Sequence, residues 1–184
     1  MKVLIVHGTR GNPNGAWIPW LKNELEILGC KVFAPQFPTP EGQSLENWLK
    51  ISEKDSPYDL VIGHSIGAAF LLSLIEQAEK PVSAAFLVAG FIGLLNIKEF
   101  DDLNYTISDK NFDWEKIKKN CRSFFVFNSD NDPYIPLEKG RELAKNIGTE
   151  LILVKGGGHL NLDSGYHRFP LILEKIKENL QLPR

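Results

Sequence analysis

Short runs of consecutive apolar residues alternate along the chain with longer segments whose apolar positions recur every three or four residues. Val3-Leu4-Ile5-Val6 is the first run, and it ends at His7-Gly8. With no polar residue inside it, it predicts a strand buried on both faces. Thr9 to Gly15 is rich in Gly, Asn and Pro and reads as a loop. In Ala16 to Leu28 the residues Trp17, Trp20, Leu21, Leu25 and Leu28 fall at helical spacing, and Gly29 is placed to end that helix. Val32-Phe33-Ala34 is a second strand, after which Pro35, Pro38 and Pro40 hold the chain extended and unpaired. Ser44 is an N-cap for a short helix carrying Leu45, Trp48 and Leu49.

Four further runs, Asp59–Ile62, Ala84–Val88, Phe124–Phe127 and Leu151–Val154, predict strands three to six. Ile66 to Ile75 is apolar nearly all round, so its helix should be deeply buried. Trp114–Lys119, Leu137–Ile147 and roughly Pro170–Leu180 supply the remaining helices. Strands alternating with helices imply βαβ units: an α/β fold of about six mostly parallel strands with helices on both faces. No repeat or linker divides residues 1–184, so one domain is expected. Gly90 to Asp113 is too long for an ordinary connection. Its apolar residues fit either an irregular packed crossover or a small lid over a site.

Composition narrows the function. The chain is 43% hydrophobic and 24% charged with a formal net charge of -2, ordinary for a globular protein. Nucleic-acid binding needs clustered positive charge, and none is present. Lys116, Lys118 and Lys119 come closest and read as the solvated face of a short helix. Two cysteines, Cys30 and Cys121, imply no disulfide framework. The longest apolar stretch, Ala84 to Leu95, falls short of the roughly 20 residues that span a bilayer. No membrane association and a cytoplasmic location are therefore expected.

The chemistry centres on Gly63-His64-Ser65-Ile66-Gly67, set between the third strand and the buried helix. That strand–turn–helix context is what a G-x-S-x-G nucleophile elbow requires. A glycine two residues to either side relieves the clashes of a sharp turn, which lifts the Ser65 hydroxyl to the carboxyl edge of the sheet. The helix start behind it directs N–H groups toward developing negative charge.

An acid should follow a late strand and a histidine the last one. After Phe127 the chain offers Asp130 and Asp132, and Asp132, held extended by Pro133, is favoured. His159 follows the sixth strand in Lys155-Gly156-Gly157-Gly158-His159 and is favoured as base over His167. His64 points away from its neighbour Ser65, and His7 is expected to shape the loop after strand one. Backbone N–H groups of Thr9 and Ile66 would form the oxyanion hole. The four histidines lack metal-site spacing, and no Gly-x-Gly-x-x-Gly follows strand one, so neither a metal nor a cofactor is expected.

His7-Gly8-Thr9, Trp17 through Trp20-Leu21, Pro35 through Pro40, Gly63 through Ala68, Asp132-Pro133 and Gly158-His159 occur in an order that resembles a known group. These are the small serine hydrolases that include human retinoblastoma-binding protein nine and its bacterial relatives. The resemblance implies a compact α/β-hydrolase fold of six parallel strands and a triad on Ser65, Asp132 and His159. It also implies an esterase or aminopeptidase-like activity. The expected substrate is thus a small ester or amide cleaved through an acyl-enzyme. A binding module with an idle triad, or an acyltransferase, would carry the same residues. The sequence points to no particular protein partner.

Overall fold

The computed structural model describes residues 1–53 and 56–180. Six strands form one sheet: β1 (Lys2–Val6), β2 (Lys31–Phe33), β3 (Leu60–His64), β4 (Ala84–Val88), β5 (Phe124–Ser129) and β6 (Leu151–Val154). Their order is β2-β1-β3-β4-β5-β6, and every pairing is parallel. Seven helices are described, α1 (Ile18–Ile27), α2 (Leu45–Glu53), α3 (Ile66–Glu76), α4 (Lys98–Ser108), α5 (Trp114–Asn120), α6 (Leu137–Ile147) and α7 (Pro170–Leu180). This is the α/β-hydrolase fold in a six-stranded form.

The continuous apolar runs are explained by helices on both faces. Val3, Ile5, Leu60, Ile62 and Phe86 pack with Leu21 and Leu25 of α1 and with Ile172 and Ile176 of α7. The alternate residues Leu4, Val6, Val61, Ala85 and Leu87 turn to the other side. There they meet Trp48 of α2, Phe70 and Leu72 of α3, Ile117 of α5 and Leu143 of α6. Period-two alternation thus feeds two cores, and the inner strands β1, β3 and β4 are covered on both faces.

The caps follow local chemistry. Ser44 Oγ accepts from the Asn47 N–H at 3.2 Å and starts α2, and Asp113 accepts from the Lys116 N–H at the start of α5. Helix α1 begins at Ile18 rather than Ala16, because Pro19 occupies its first turn and Trp17 serves as N-cap. Lys116, Lys118 and Lys119 lie exposed on α5 around buried Ile117. Cys30 and Cys121 are free and buried, and burial pushes the Cys121 thiol up to about 12. Among the described residues no helix is long and apolar enough to cross a membrane.

Within Gly90 to Asp113 the chain forms α4, preceded by an extended turn. Ile107 of α4 is buried, and Phe100 packs against the same core. Leu94, Ile97 and Tyr105 of this stretch are exposed. The segment is therefore not wholly irregular: it holds one helix, which packs against the core that α3 shares.

Candidate active site

The chain leaves β1 toward β2 on one side and returns to β3 on the other, so a crevice opens at the carboxyl ends of β1 and β3. Ser65 sits there, between β3 and α3, with φ +56° and ψ -123°. This is a conformation that a side-chain-bearing residue adopts only when its surroundings enforce it. The Ser65 N–H is tied to the Val88 carbonyl at 2.8 Å. A Cβ on Gly63 would lie 2.6 Å from the Gly67 carbonyl oxygen, and one on Gly67 would lie 2.7 Å from the carbonyl oxygens of Val6 and His7. Both glycines are required by close backbone approach rather than by conformational freedom.

A cavity of about 410 Å³ opens above this turn, and both Ser65 and His159 line it. His159 Nδ1 lies 2.7 Å from Asp132 Oδ2, and the Asp132 side chain is completely buried. The other carboxylate oxygen accepts from the N–H groups of Tyr134 (2.8 Å) and Ile135 (3.0 Å). With its carboxylate oriented by two backbone donors, Asp132 accepts a hydrogen bond from Nδ1–H, which leaves Nε2 as the acceptor of the ring.

Asp130 and His167 are placed elsewhere. Asp130 Oδ1 accepts from the Gly156 N–H at 2.7 Å, and Asn131 Oδ1 from the Gly158 N–H at 2.8 Å. The pair braces the glycine loop that delivers His159, so Asp130 reaches across to a neighbouring loop instead of bonding its own backbone. His167 is exposed and does not line the cavity.

The two remaining histidines are structural in their bonding. His7 Nε2 accepts from the Phe37 N–H at 3.0 Å while Nδ1 donates to the Gly8 carbonyl at 2.8 Å, a neutral tautomer. Burial lowers its pKa. His64 Nε2 donates to the His159 carbonyl at 2.9 Å. Burial, followed by the nearby His159, pushes His64 down to about 3. Thr9 lines the cavity in the loop after β1. Ile66 is the first residue of α3, where an N–H has no acceptor within the helix. Trp17 lies in the core beside α7, its indole N–H donating to the Leu160 carbonyl, and does not line the cavity. Among the described residues no group of three or more His, Cys, Asp or Glu side chains is arranged to hold a metal ion.

A model of the family described as serine hydrolase matches residues 3–178. The chain belongs to the serine hydrolase family. Rat (Rattus norvegicus) serine hydrolase RBBP9 is 29% identical over 181 residues, covering 95% of each chain. YdeN of Bacillus subtilis (strain 168) is 28% identical over 183 residues, covering 95% of this chain and 94% of its own. The crystal structure of the B. subtilis ydeN gene product superposes with a TM-score of 0.87 at 25% identity, over 98% of both chains. The esterase domain of a Rhodothermus marinus protein shares the fold, with a TM-score of 0.71 at 16% identity over 96% of this chain and 85% of that one.

In this serine hydrolase one wall of the cavity comes from the Gly90–Asp113 stretch, and the polar residue in that wall, Asn104, was not among the sequence candidates. Phe91, Leu95, Phe100 and Asn104, from the segment before α4 and from α4 itself, close one side. Phe100 meets Tyr134 edge-on at 5.6 Å, and Tyr134 meets His159 edge-on at 5.1 Å. Asn104 and Gln43 bond to each other and to Thr9. The available signal was the spacing of Phe100, Leu103, Asn104 and Ile107, helical in period but with asparagine on the inward stripe.

Proposed function

We propose that the protein hydrolyses a carboxylic ester or small amide through an acyl-enzyme on Ser65. The observation that carries this reading is the 2.7 Å contact between buried Asp132 and His159, with His159 lining the same cavity as Ser65. In this scheme Ser65 Oγ attacks the carbonyl carbon and its proton passes to His159 Nε2. The charge left on the carbonyl oxygen is held by the N–H groups of Thr9 and Ile66, the latter reinforced by the N-terminus of α3. Collapse breaks the bond to the leaving group, which takes the proton from Nε2. Water then attacks the acyl-enzyme with His159 as base, releasing the acid and regenerating Ser65. Asp132 orients the ring throughout and stabilises the imidazolium. The scheme draws only on protein groups and water.

A fluorophosphonate tests it directly. Peptide mapping is expected to find the label on Ser65 and on no other serine. Ser65→Ala should abolish labelling and reduce turnover of p-nitrophenyl butyrate by about 10³-fold or more, with the Tm nearly unchanged. A label on another serine, or none on folded protein, overturns the assignment and favours a binding module.

A further inference from the structure

One polar network at the cavity has fixed ends, and its polarity can be followed atom by atom. At one end the Arg10 N–H donates to Thr39 Oγ1 at 2.7 Å, so the Thr39 hydroxyl proton goes to Gln43 Oε1 at 2.6 Å. At the other end the Leu103 carbonyl can only accept, and Gln43 Nε2 donates to it at 3.1 Å. Gln43 therefore has one orientation. Its second Nε2 proton goes to Asn104 Oδ1 at 2.7 Å, with Thr9 Oγ1 more distant at 3.2 Å. The Thr9 hydroxyl donates to the same Asn104 Oδ1 at 2.6 Å. Two donors converging on one atom make that atom the amide oxygen.

Asn104 is thereby oriented too, and its amide nitrogen faces away from the network. Asn104 is only 3% exposed yet lines the cavity. Its Nδ2 has no acceptor among the described residues and is not sealed from solvent, so its two N–H groups are presented at the cavity wall. A nearly buried amide donor costs stability unless something satisfies it. At an open cavity wall an acceptor on a bound substrate can do so.

The position along α4 says which part of the substrate this is. Phe100 contacts Tyr134, which contacts His159, so Tyr134 links that end of α4 to the base that protonates the leaving group. Asn104 is one helical turn further on and is bonded to Thr9 in the loop after β1. It therefore faces the acyl side. Resting on the acyl-enzyme reading above, we propose that Asn104 is a specificity-determining hydrogen-bond donor. The preferred acyl group then carries an oxygen acceptor close to the reacting carbonyl, as in alkoxy- or oxo-acyl esters, rather than a plain alkyl chain. A site built around a hydrogen-bond donor discriminates against the analogue that lacks the acceptor.

Two esters isolate this contact. p-Nitrophenyl methoxyacetate and p-nitrophenyl butyrate match in length and leaving group and differ by an ether oxygen in place of one methylene. Their kcat/KM ratio, divided by the ratio of their hydroxide-catalysed rates, is expected to favour methoxyacetate by about three- to tenfold in the natural protein. Asn104→Asp keeps an oxygen toward Thr9 and Gln43 and removes the donor; Asn104→Leu removes both. Each is expected to bring the ratio to one or below. Both variants can lower the two absolute rates through Thr9, which is why the ratio is read. Should the leucine variant not fold, the aspartate variant decides. A ratio of one in the natural protein, or a ratio unmoved in the folded variants, overturns the proposal while Ser65 still labels. Failure of the natural protein both to cleave either ester and to label at Ser65 defeats the acyl-enzyme reading, and this proposal with it.

Discussion

At the scale of single residues, the two aspartates after β5 show how different jobs arise two positions apart. Asp132 is buried with each carboxylate oxygen engaged, one by backbone N–H groups and one by His159. Asp130 is exposed and holds only the Gly156 N–H. Asp132→Asn keeps the shape but loses the charge that stabilises an imidazolium, and it can reverse the tautomer of His159. It is expected to lower kcat by roughly 10²–10⁴-fold. Asp130→Asn should be much milder, since an amide oxygen still accepts from Gly156, and exposed His167→Ala should change kcat little. Measuring kcat on p-nitrophenyl butyrate for all three checks the assignment. A larger loss from Asp130→Asn would mean that the charge needed by His159 is supplied otherwise. Pro133 was a readable hint toward Asp132, but the distinction is made by distance across 27 residues, which no local pattern encodes.

Among the elements, the turn from β3 to α3 is the one the sequence encodes most completely. Gly63, Ser65 and Gly67 are covalent near-neighbours, so their spacing alone dictates which backbone atoms approach. Gly67 lies against the carbonyl oxygens of Val6, the last residue of β1, and of His7 just after it, so a methyl group there would force the start of α3 away from that strand end. Gly67→Ala is expected to destabilise by about 2 kcal/mol, lowering the Tm by roughly 4–8 °C in a protein of this size. It should also slow labelling of Ser65, because the nucleophile and the Ile66 N–H move together. A thermal melt identical to that of the natural protein would refute the packing argument. Helix α4 is the opposite case. Its inward stripe of Phe100, Leu103 and Ile107 is interrupted by Asn104, so too few apolar positions marked the period and only the length and apolar content of the surrounding segment stood out.

On the scale of the whole molecule, acid sensitivity follows from histidines gathered at the carboxyl edge of the sheet. His64 is held down to about 3, chiefly by burial and then by the neighbouring His159, and burial lowers His7 in the same direction. A depressed imidazole pKa means that the unfolded chain takes up a proton that the folded chain refuses. Stability is therefore complete above the unfolded value of about 6.5 and is lost as the pH falls from there toward 3. The slope from His64 is at most about 1.4 kcal/mol per pH unit. His64→Gln, whose Nε2 can still donate to the His159 carbonyl, should be less sensitive to acid in urea unfolding at pH 7, 5.5 and 4. Equal losses in the two proteins would rule His64 out as a source of the effect.

The sequence by itself indicated the six strands, six of the seven described helices and the G-x-S-x-G turn that carries Ser65. Apolar runs, glycine placement and capping residues act over a few covalently fixed positions, and their consequences are local. It also restricted the acid and the base to two candidates each, through the order in which strands deliver loops to one edge. Tertiary structure decided what depends on distance between remote segments. Sheet order β2-β1-β3-β4-β5-β6 brings the loop of Asp132 beside that of His159. The packing of α4 sets Asn104 against Thr9, 95 residues away, and against Gln43, 61 residues away. Those contacts cannot be read from spacing, because a hydrogen bond between distant residues exists only where the whole sheet and its covering helices hold both partners in place.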